Sequence, residues 1–359
     1  MAGVNSNGGS HLAALELTEQ LRADFDVTLL SGKPCGPFSH PIRCVTRNRA
    51  AELIQKLGLR SLLERFASHP EIVLEHLTSF YPCLHYVLSH PPDLIFPHNS
   101  YGGLWVAACA RALTGAPILY TEHAGLLGNA KCLQRDLYFR PDHLVALSDT
   151  VAQKARSIRP QQPVTVIPNG VDLSRFSPTG ARLELPLKPP VVLCVASLNR
   201  NNHKRIQLAL QAVAKLEAVS LLVCGDGPDR EYFQALGHQL LGADRCIFQA
   251  FPFDRMPDVY RSADVFTLPS INEPFGRVYL EAMASGLPVV APDDDVRRNI
   301  IQNGGILCDV ENVEAYAGAL DQAIRQNWEH RPRESARRFD WAVITPQYRN
   351  LILQMIEGV

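Results

Sequence analysis

Short apolar runs alternate with segments of helical period along most of the chain, and the pattern breaks once near the middle. Residues 25–30, 92–97, 116–121, 143–147 and 164–168 read as buried strands, with a helical period over 103–113. Residues 172–190 lose this order: they are rich in turn formers and poor in periodicity, and they read as a linker. A second series follows, with strands predicted at 191–195, 219–224, 245–249, 264–268, 288–291 and 305–308. Helices are predicted near 205–216, 229–241, 277–285 and 312–326, and the amphipathic stretch 341–356 closes the chain. Strands and helices in strict alternation predict parallel sheets with helices on both faces. The expectation is two α/β units of similar size with a cleft between them, a favoured place for ligands.

The start of the chain departs from this scheme. Asn5-Ser-Asn-Gly-Gly-Ser10 leads straight into a helix over 11–21, although a Gly-rich turn that opens a helix should follow a strand. About four residues precede it, fewer than a central strand needs. A shortened first strand is therefore expected, with the missing part upstream of Met1.

Composition narrows the class. At 359 residues, 46 % apolar and 20 % charged, the chain suits two soluble globular domains. A net charge of −1 gives no global field for nucleic acid. The nine cysteines stand singly, without a Cys-x-x-Cys pair, and read as reduced, mostly buried thiols rather than a metal site. With no signal peptide and no apolar run near ~18 residues, the expected location is cytoplasmic. Peripheral attachment at the inner face of a membrane stays open. The stretch 43–65 bears on it, with Arg43, Arg47, Arg49, Lys56, Arg60 and Arg65 against Glu52 and Glu64. It reads first as a solvated helix face, and second as a contact for anionic lipid or an acidic acceptor.

Chemistry concentrates in the second half. Glu273 lies in the loop after a predicted strand and Glu281 inside the helix that follows, so both aim at the space above the strand ends. Paired carboxylates beside a helix N-terminus suit a ligand that carries both hydroxyls and phosphates. Leu198-Asn-Arg-Asn-Asn-His-Lys-Arg205 puts Arg200, Lys204 and Arg205 in one loop after a strand, where cations can neutralise a diphosphate leaving group. A solvated basic loop is the plainer reading of the same residues. Gly8-Gly9 and the Gly225-Asp-Gly227 turn can bring backbone N–H groups against a phosphate, or can simply be tight turns. His123 follows a strand of the first half and can face a substrate, although a lone His is commonly structural. Asp293-Asp-Asp295 reads as a solvated loop, because three adjacent carboxylates converge poorly on a metal.

Together these features resemble the retaining glycosyltransferases of family 4, which have the GT-B fold. The string Ser270-Ile-Asn-Glu-Pro-Phe-Gly-Arg-Val-Tyr-Leu-Glu-Ala-Met-Ala-Ser-Gly-Leu-Pro-Val-Val290 is similar to their donor-site signature. Ile167-Pro-Asn-Gly-Val-Asp172 with Arg175-Phe176, and the terminal Phe339-Asp-Trp341, fall in the family's order. The resemblance implies two Rossmann-like domains facing a cleft, an acceptor domain at 1–172 and a donor domain at 188–340. It also implies a last helix, 341–359, that crosses back to the first domain. The implied reaction, in the hexosyltransferase class EC 2.4, moves a sugar from a nucleoside diphosphate sugar with retention, to an unidentified glycan, lipid or small-molecule acceptor. A UDP-sugar is favoured and a GDP-sugar left open, with no permanently bound cofactor and no protein-bound metal.

By resemblance, Glu273 and the N–H groups of Phe275 and Gly276, after Pro274, hold the donor sugar. Glu281 holds the ribose, Lys204 the phosphate, Gly9 the diphosphate from the first domain, and His123 faces the transferred sugar. The loop 251–253, ending at Phe253, falls where the base is held, and Arg277 belongs to the same signature. Two departures stand out: Ser197 replaces the usual phosphate-binding arginine, leaving Arg200 or Arg205 as substitutes, and Pro292-Asp-Asp-Asp295 replaces a Gly-Gly pair. The alternative reading is a non-catalytic nucleotide-sugar-binding protein or partner subunit on the same fold. A PLP-dependent phosphorylase fits the length and the donor string badly.

Overall fold

The computed structural model describes residues 9–34, 36–67, 69–98, 102–126 and 130–358. The described chain forms two compact units, one of residues 1–168 with 344–359 and the other of residues 169–343.

In the first unit β3 (Leu119–Glu122), β4 (His143–Ala146) and β5 (Val164–Val166) form a parallel sheet, extended by a parallel bridge from Ile95 to Ile118. A separate parallel pair joins β1 (Leu29–Ser31) to β2 (Ser39–Pro41). The core lies between the sheet and its helices, with Leu104 and Ala107 from the helix Gly102–Thr114 and Val151, Ala152 and Ala155 from Asp149–Ile158. The spacings of three and four residues put each set on one helix face. The end of the last helix, Trp341–Glu357, belongs to this unit: Tyr348 is buried with its ring 6.0 Å from Phe96, and Arg349 pairs with Asp24 at 3.2 Å.

The second unit is built on one six-stranded parallel sheet. Its strands are β6 (Val191–Val195), β7 (Ser220–Cys224), β8 (Cys246–Gln249), β9 (Val265–Thr267), β10 (Val289–Pro292) and β11 (Gly305–Cys308). They lie in the order β8-β7-β6-β9-β10-β11, which is 3-2-1-4-5-6 in their own succession. Val192, Leu193, Phe266, Val289 and Val290 are all fully buried, as continuous apolar strands covered on both faces must be. The turn-rich segment after Asn169 packs on this unit. Phe176 is fully buried edge-on to Tyr260, and Arg333 donates to the carbonyls of Phe176 at 2.8 Å and Leu173 at 2.9 Å. The absence of a side chain at Gly170 admits the Trp341 indole, where a Cβ would lie 2.4 Å from the ring.

Candidate functional site

In an open parallel sheet, ligands bind beyond the carboxyl ends of the strands where the strand order reverses. Here that point lies between β6 and β9, the first and fourth strands of the second unit. The loop after β6 carries Lys204 and the loop after β9 carries Glu273. The two loops are joined by a hydrogen bond from the Ile271 N–H to the His203 carbonyl, at 2.9 Å.

Three ionisable groups meet there. Lys204 Nζ donates to Glu273 Oε2 at 2.5 Å, and His203 Nε2 lies 3.2 Å from the same oxygen. Burial alone pushes the Glu273 carboxyl up, but the hydrogen bond from His203 and the charge of Lys204 outweigh it and hold the group at about 2. Glu273 is thus a fixed anion, able only to accept hydrogen bonds, with a cation directly beside it. That arrangement can hold a polyhydroxylated group and an anion side by side.

The other cations of the loop are engaged elsewhere. Arg200 Nε donates to Asp229 Oδ1 at 2.8 Å, and its guanidinium stands 4.6 Å over the Tyr232 ring. Arg205 Nε donates to the Pro269 carbonyl at 2.8 Å and Nη1 to Glu311 Oε1 at 2.6 Å. Asn202 Nδ2 donates to Ser197 Oγ at 3.1 Å, closing the loop on itself. Of the three predicted cations, the structure brings only Lys204 to Glu273.

The Glu273 loop is braced from behind. Fully buried Arg297 donates to the Ser270 carbonyl at 2.6 Å and pairs with Asp294 at 2.8 Å. Tyr279 donates to the Leu268 carbonyl at 2.8 Å. Gly276 takes φ +87° where the loop enters the helix Arg277–Ala284, and a Cβ there would sit 2.6 Å from the Tyr279 ring and 3.2 Å from Glu273 Cγ. Phe275 is buried edge-on to Phe339, with ring centroids 5.8 Å apart, which anchors the Pro274–Gly276 corner. The acidic run resolves into separate tasks. Asp294 caps the helix Asp295–Ile301 by accepting from Arg297 N, while Asp293 and Asp295 pair with Arg298 at 2.7 and 3.0 Å. Among the described residues, no group of three His, Cys, Asp or Glu side chains is placed to hold a metal.

Glu281 is buried one turn inside the helix Arg277–Ala284. Its Oε2 accepts from Tyr260 at 2.8 Å, and Arg277, at i−4, places Nη2 3.8 Å from its Oε1. Burial first, and then the Glu281 carboxylate, push the Tyr260 hydroxyl well above its ordinary range. Phe253 opens a short 3-10 turn, with the Arg175 guanidinium 4.0 Å over its ring and donating to its carbonyl at 2.9 Å. The Gly225-Asp-Gly227 turn lies against the loop after β6. A Cβ on Gly225 would be 1.8 Å from the Ala196 carbonyl oxygen, and one on Gly227 2.3 Å from that of Leu198. Close backbone approach therefore accounts for both glycines.

In the first unit, Gly9 opens the exposed start of the helix Gly9–Leu21, and Gly8 lies outside the described residues. His123 follows β3 and puts Nε2 3.4 Å from Nδ1 of His98, a residue that sequence reading passed over. Burial holds the His98 imidazole well below its usual range, so it is neutral. Glu122, the last residue of β3, accepts from the N–H groups of Ala124 and Gly125 at 2.7 Å each. Burial raises its carboxyl to about 7 despite those bonds. His203, Arg297 and Tyr260 were also missed. His203 had a signal in its place next to Lys204, whereas Arg297 and Tyr260 had none, because only the sheet topology brings them in.

A doubly wound parallel sheet with a part-buried acid–lysine pair at its switch point defines a ligand-binding α/β protein. The family model for Glycosyl transferases group 1 matches residues 180–339, and that for Glycosyltransferase Family 4 matches residues 7–175. The chain belongs to this family of GT-B glycosyltransferases.

It is similar to the lipopolysaccharide core biosynthesis glycosyltransferase LpsE of Rhizobium meliloti, 29 % identical over 53 % of this chain and 56 % of that protein. A phosphatidyl-myo-inositol mannosyltransferase of Mycobacterium leprae is 26 % identical over 95 % of this chain and 91 % of its own. The chain spans about half the length of the first curated relatives that it matches. Among solved structures, the sucrose-phosphate synthase of Thermosynechococcus elongatus shares the fold with a TM-score of 0.77 at 21 % identity, covering 100 % of this chain and 96 % of its own. Anabaena HepE in complex with UDP and glucose follows at 0.74 and 19 %, covering 98 % and 97 %.

Proposed function

We propose that the protein transfers a sugar from a nucleoside diphosphate sugar, a UDP-sugar first, to an acceptor hydroxyl with retention of configuration. The observation that carries this reading is the contact of Lys204 with Glu273, whose carboxyl is held well below the usual carboxylate range, at the β6/β9 switch point. Glu273 accepts from hydroxyls of the donor sugar, and Glu281, held by Tyr260, from those of the ribose. Lys204 sits one contact away from Glu273, where it offsets the charge of the departing diphosphate by electrostatic stabilisation. Arg200 and Arg205, tied to Asp229 and Glu311, hold the loop in shape rather than meet the phosphates. His123 and Gly9 enter the proposal through the family resemblance alone. UDP is preferred because HepE, of the same fold, is described in complex with it.

Proximity and charge carry the reaction in this reading, and no protein-bound metal is assigned a step. A thermal-shift series with UDP, GDP and ADP tests the ligand class, since a ligand that binds only the folded state raises its stability by mass action. The expected result is a rise with UDP above that with GDP and ADP. No rise with any of the three overturns the donor assignment. The non-catalytic alternative is separated by incubation with UDP-glucose: release of UDP over many turnovers marks an enzyme, and binding without release marks a binding module.

A further inference from the structure

His203 and Lys204 share one acceptor but hold it by different means. His203 Nε2, at 3.2 Å, and Lys204 Nζ, at 2.5 Å, both fall on Glu273 Oε2, and among the described residues no hydrogen bond or ion pair reaches Oε1. An ionised carboxylate only accepts, so the proton on the His203 ring stands on Nε2, whether the ring is neutral or charged. The ring belongs to the loop that it serves: the His203 carbonyl accepts from the Ile271 N–H at 2.9 Å, two residues before Glu273. Lys204 is anchored at its backbone, whose N–H donates to Asn202 Oδ1 at 2.9 Å, and it carries its ammonium on a flexible four-carbon stem.

Glu273 is also largely shielded from water. Its side chain is 9 % exposed, against 18 % for Lys204 and 23 % for His203. The Lys204 ammonium therefore faces two demands. Without ligand it balances the carboxylate, and in the proposed reaction it meets the diphosphate. An ammonium that turns to a diphosphate gives up some of its hold on Glu273, and a shielded carboxylate left without a donor carries a desolvation cost. A donor that stays behind on the same oxygen offsets that cost. His203 stands in that place, whereas Arg200 and Arg205 are engaged with Asp229 and Glu311.

We propose that His203 is a positioning residue: it keeps Glu273 paired when Lys204 turns to the diphosphate, and so releases the lysine to the ligand. The inference rests on the donor reading above, and His203 acts through Glu273 rather than by touching the ligand. Titration calorimetry with UDP tests it on variants of His203, with Glu273 either native or replaced by glutamine. His203→Ala weakens UDP binding about tenfold, the value of a hydrogen bond to a charged group. His203→Gln, whose side-chain amide still donates, recovers most of that loss. In the Glu273→Gln background no carboxylate charge holds the lysine, so His203→Ala changes UDP affinity by less than about twofold. A merely structural role, or direct contact of His203 with UDP, would carry the loss into both backgrounds, and that result overturns the proposal. Wild-type affinity in His203→Ala, with Lys204→Ala weakened, overturns it alone and leaves the donor reading standing. Wild type that fails to bind UDP, or Lys204→Ala that binds it as wild type does, overturns the donor reading and this inference with it.

Discussion

Glu273 is ionised near neutral pH, because His203 and Lys204 outweigh the cost of its burial and hold its carboxyl at about 2. Two consequences follow at this scale. Its carboxyl lies below the ordinary value of 4.5, so its contribution to stability is complete above that pH and is lost as pH falls through about 2. Glu273→Gln should therefore flatten the stability–pH curve between those limits, by on the order of 3 kcal/mol, as read from urea unfolding at pH 5 and pH 2.5. An unchanged slope would show that the pair does not form. Lys204→Ala should lower kcat/KM for donor consumption by roughly 100-fold or more, with the melting temperature nearly kept. Both residues were legible in the sequence, since each stands in a loop directly after an apolar strand. His203 and Arg297 were not read, for different reasons. His203 adjoins the lysine and was passed over as one more polar loop residue. Arg297 stands 27 positions from the Ser270 that it braces, and nothing local announces a buried arginine.

The elements that frame the site are stiff turns rather than long helices. Gly276 turns the chain from the Glu273 loop into its helix at φ +87°, with the Tyr279 ring where a side chain would be. Gly276→Ala should cost about 2 kcal/mol of stability and weaken UDP-sugar binding in parallel, which calorimetry on the variant checks. If it binds the donor as tightly as wild type, the corner does not shape the site. The central strands of the second unit were readable because a strand buried on both faces is a short, unbroken apolar run; Val191–Val195 matches the sequence reading residue for residue. β2 was not readable, since Ser39–Pro41 has no apolar pattern at all. The 20-residue helix Pro70–Ser89 also went unread: it carries Pro82 in its interior, which by local rules should break it.

At the scale of the molecule, one fact of topology organises the rest. The order 3-2-1-4-5-6 places the loops after β6 and β9 side by side, so residues 69 positions apart, Lys204 and Glu273, become a pair. The alternation of elements implied such a sheet, but strand order is set by crossovers that leave no mark on sequence periodicity. If positioning and the lysine charge carry the chemistry, then exhaustive treatment with EDTA should leave turnover of UDP-sugar within about twofold of the untreated protein, as measured by UDP release. A loss that Mg²⁺ or Mn²⁺ restores would give the charge stabilisation to a metal. The account turns on Lys204 as the group that meets the diphosphate, and titration calorimetry with UDP tests that most directly. Lys204→Ala should weaken binding about tenfold or more, the value of a lost charged hydrogen bond, while Arg200→Ala, whose guanidinium is tied to Asp229, leaves it unchanged. Equal affinity of wild type and Lys204→Ala, or a loss confined to Arg200→Ala, would contradict it.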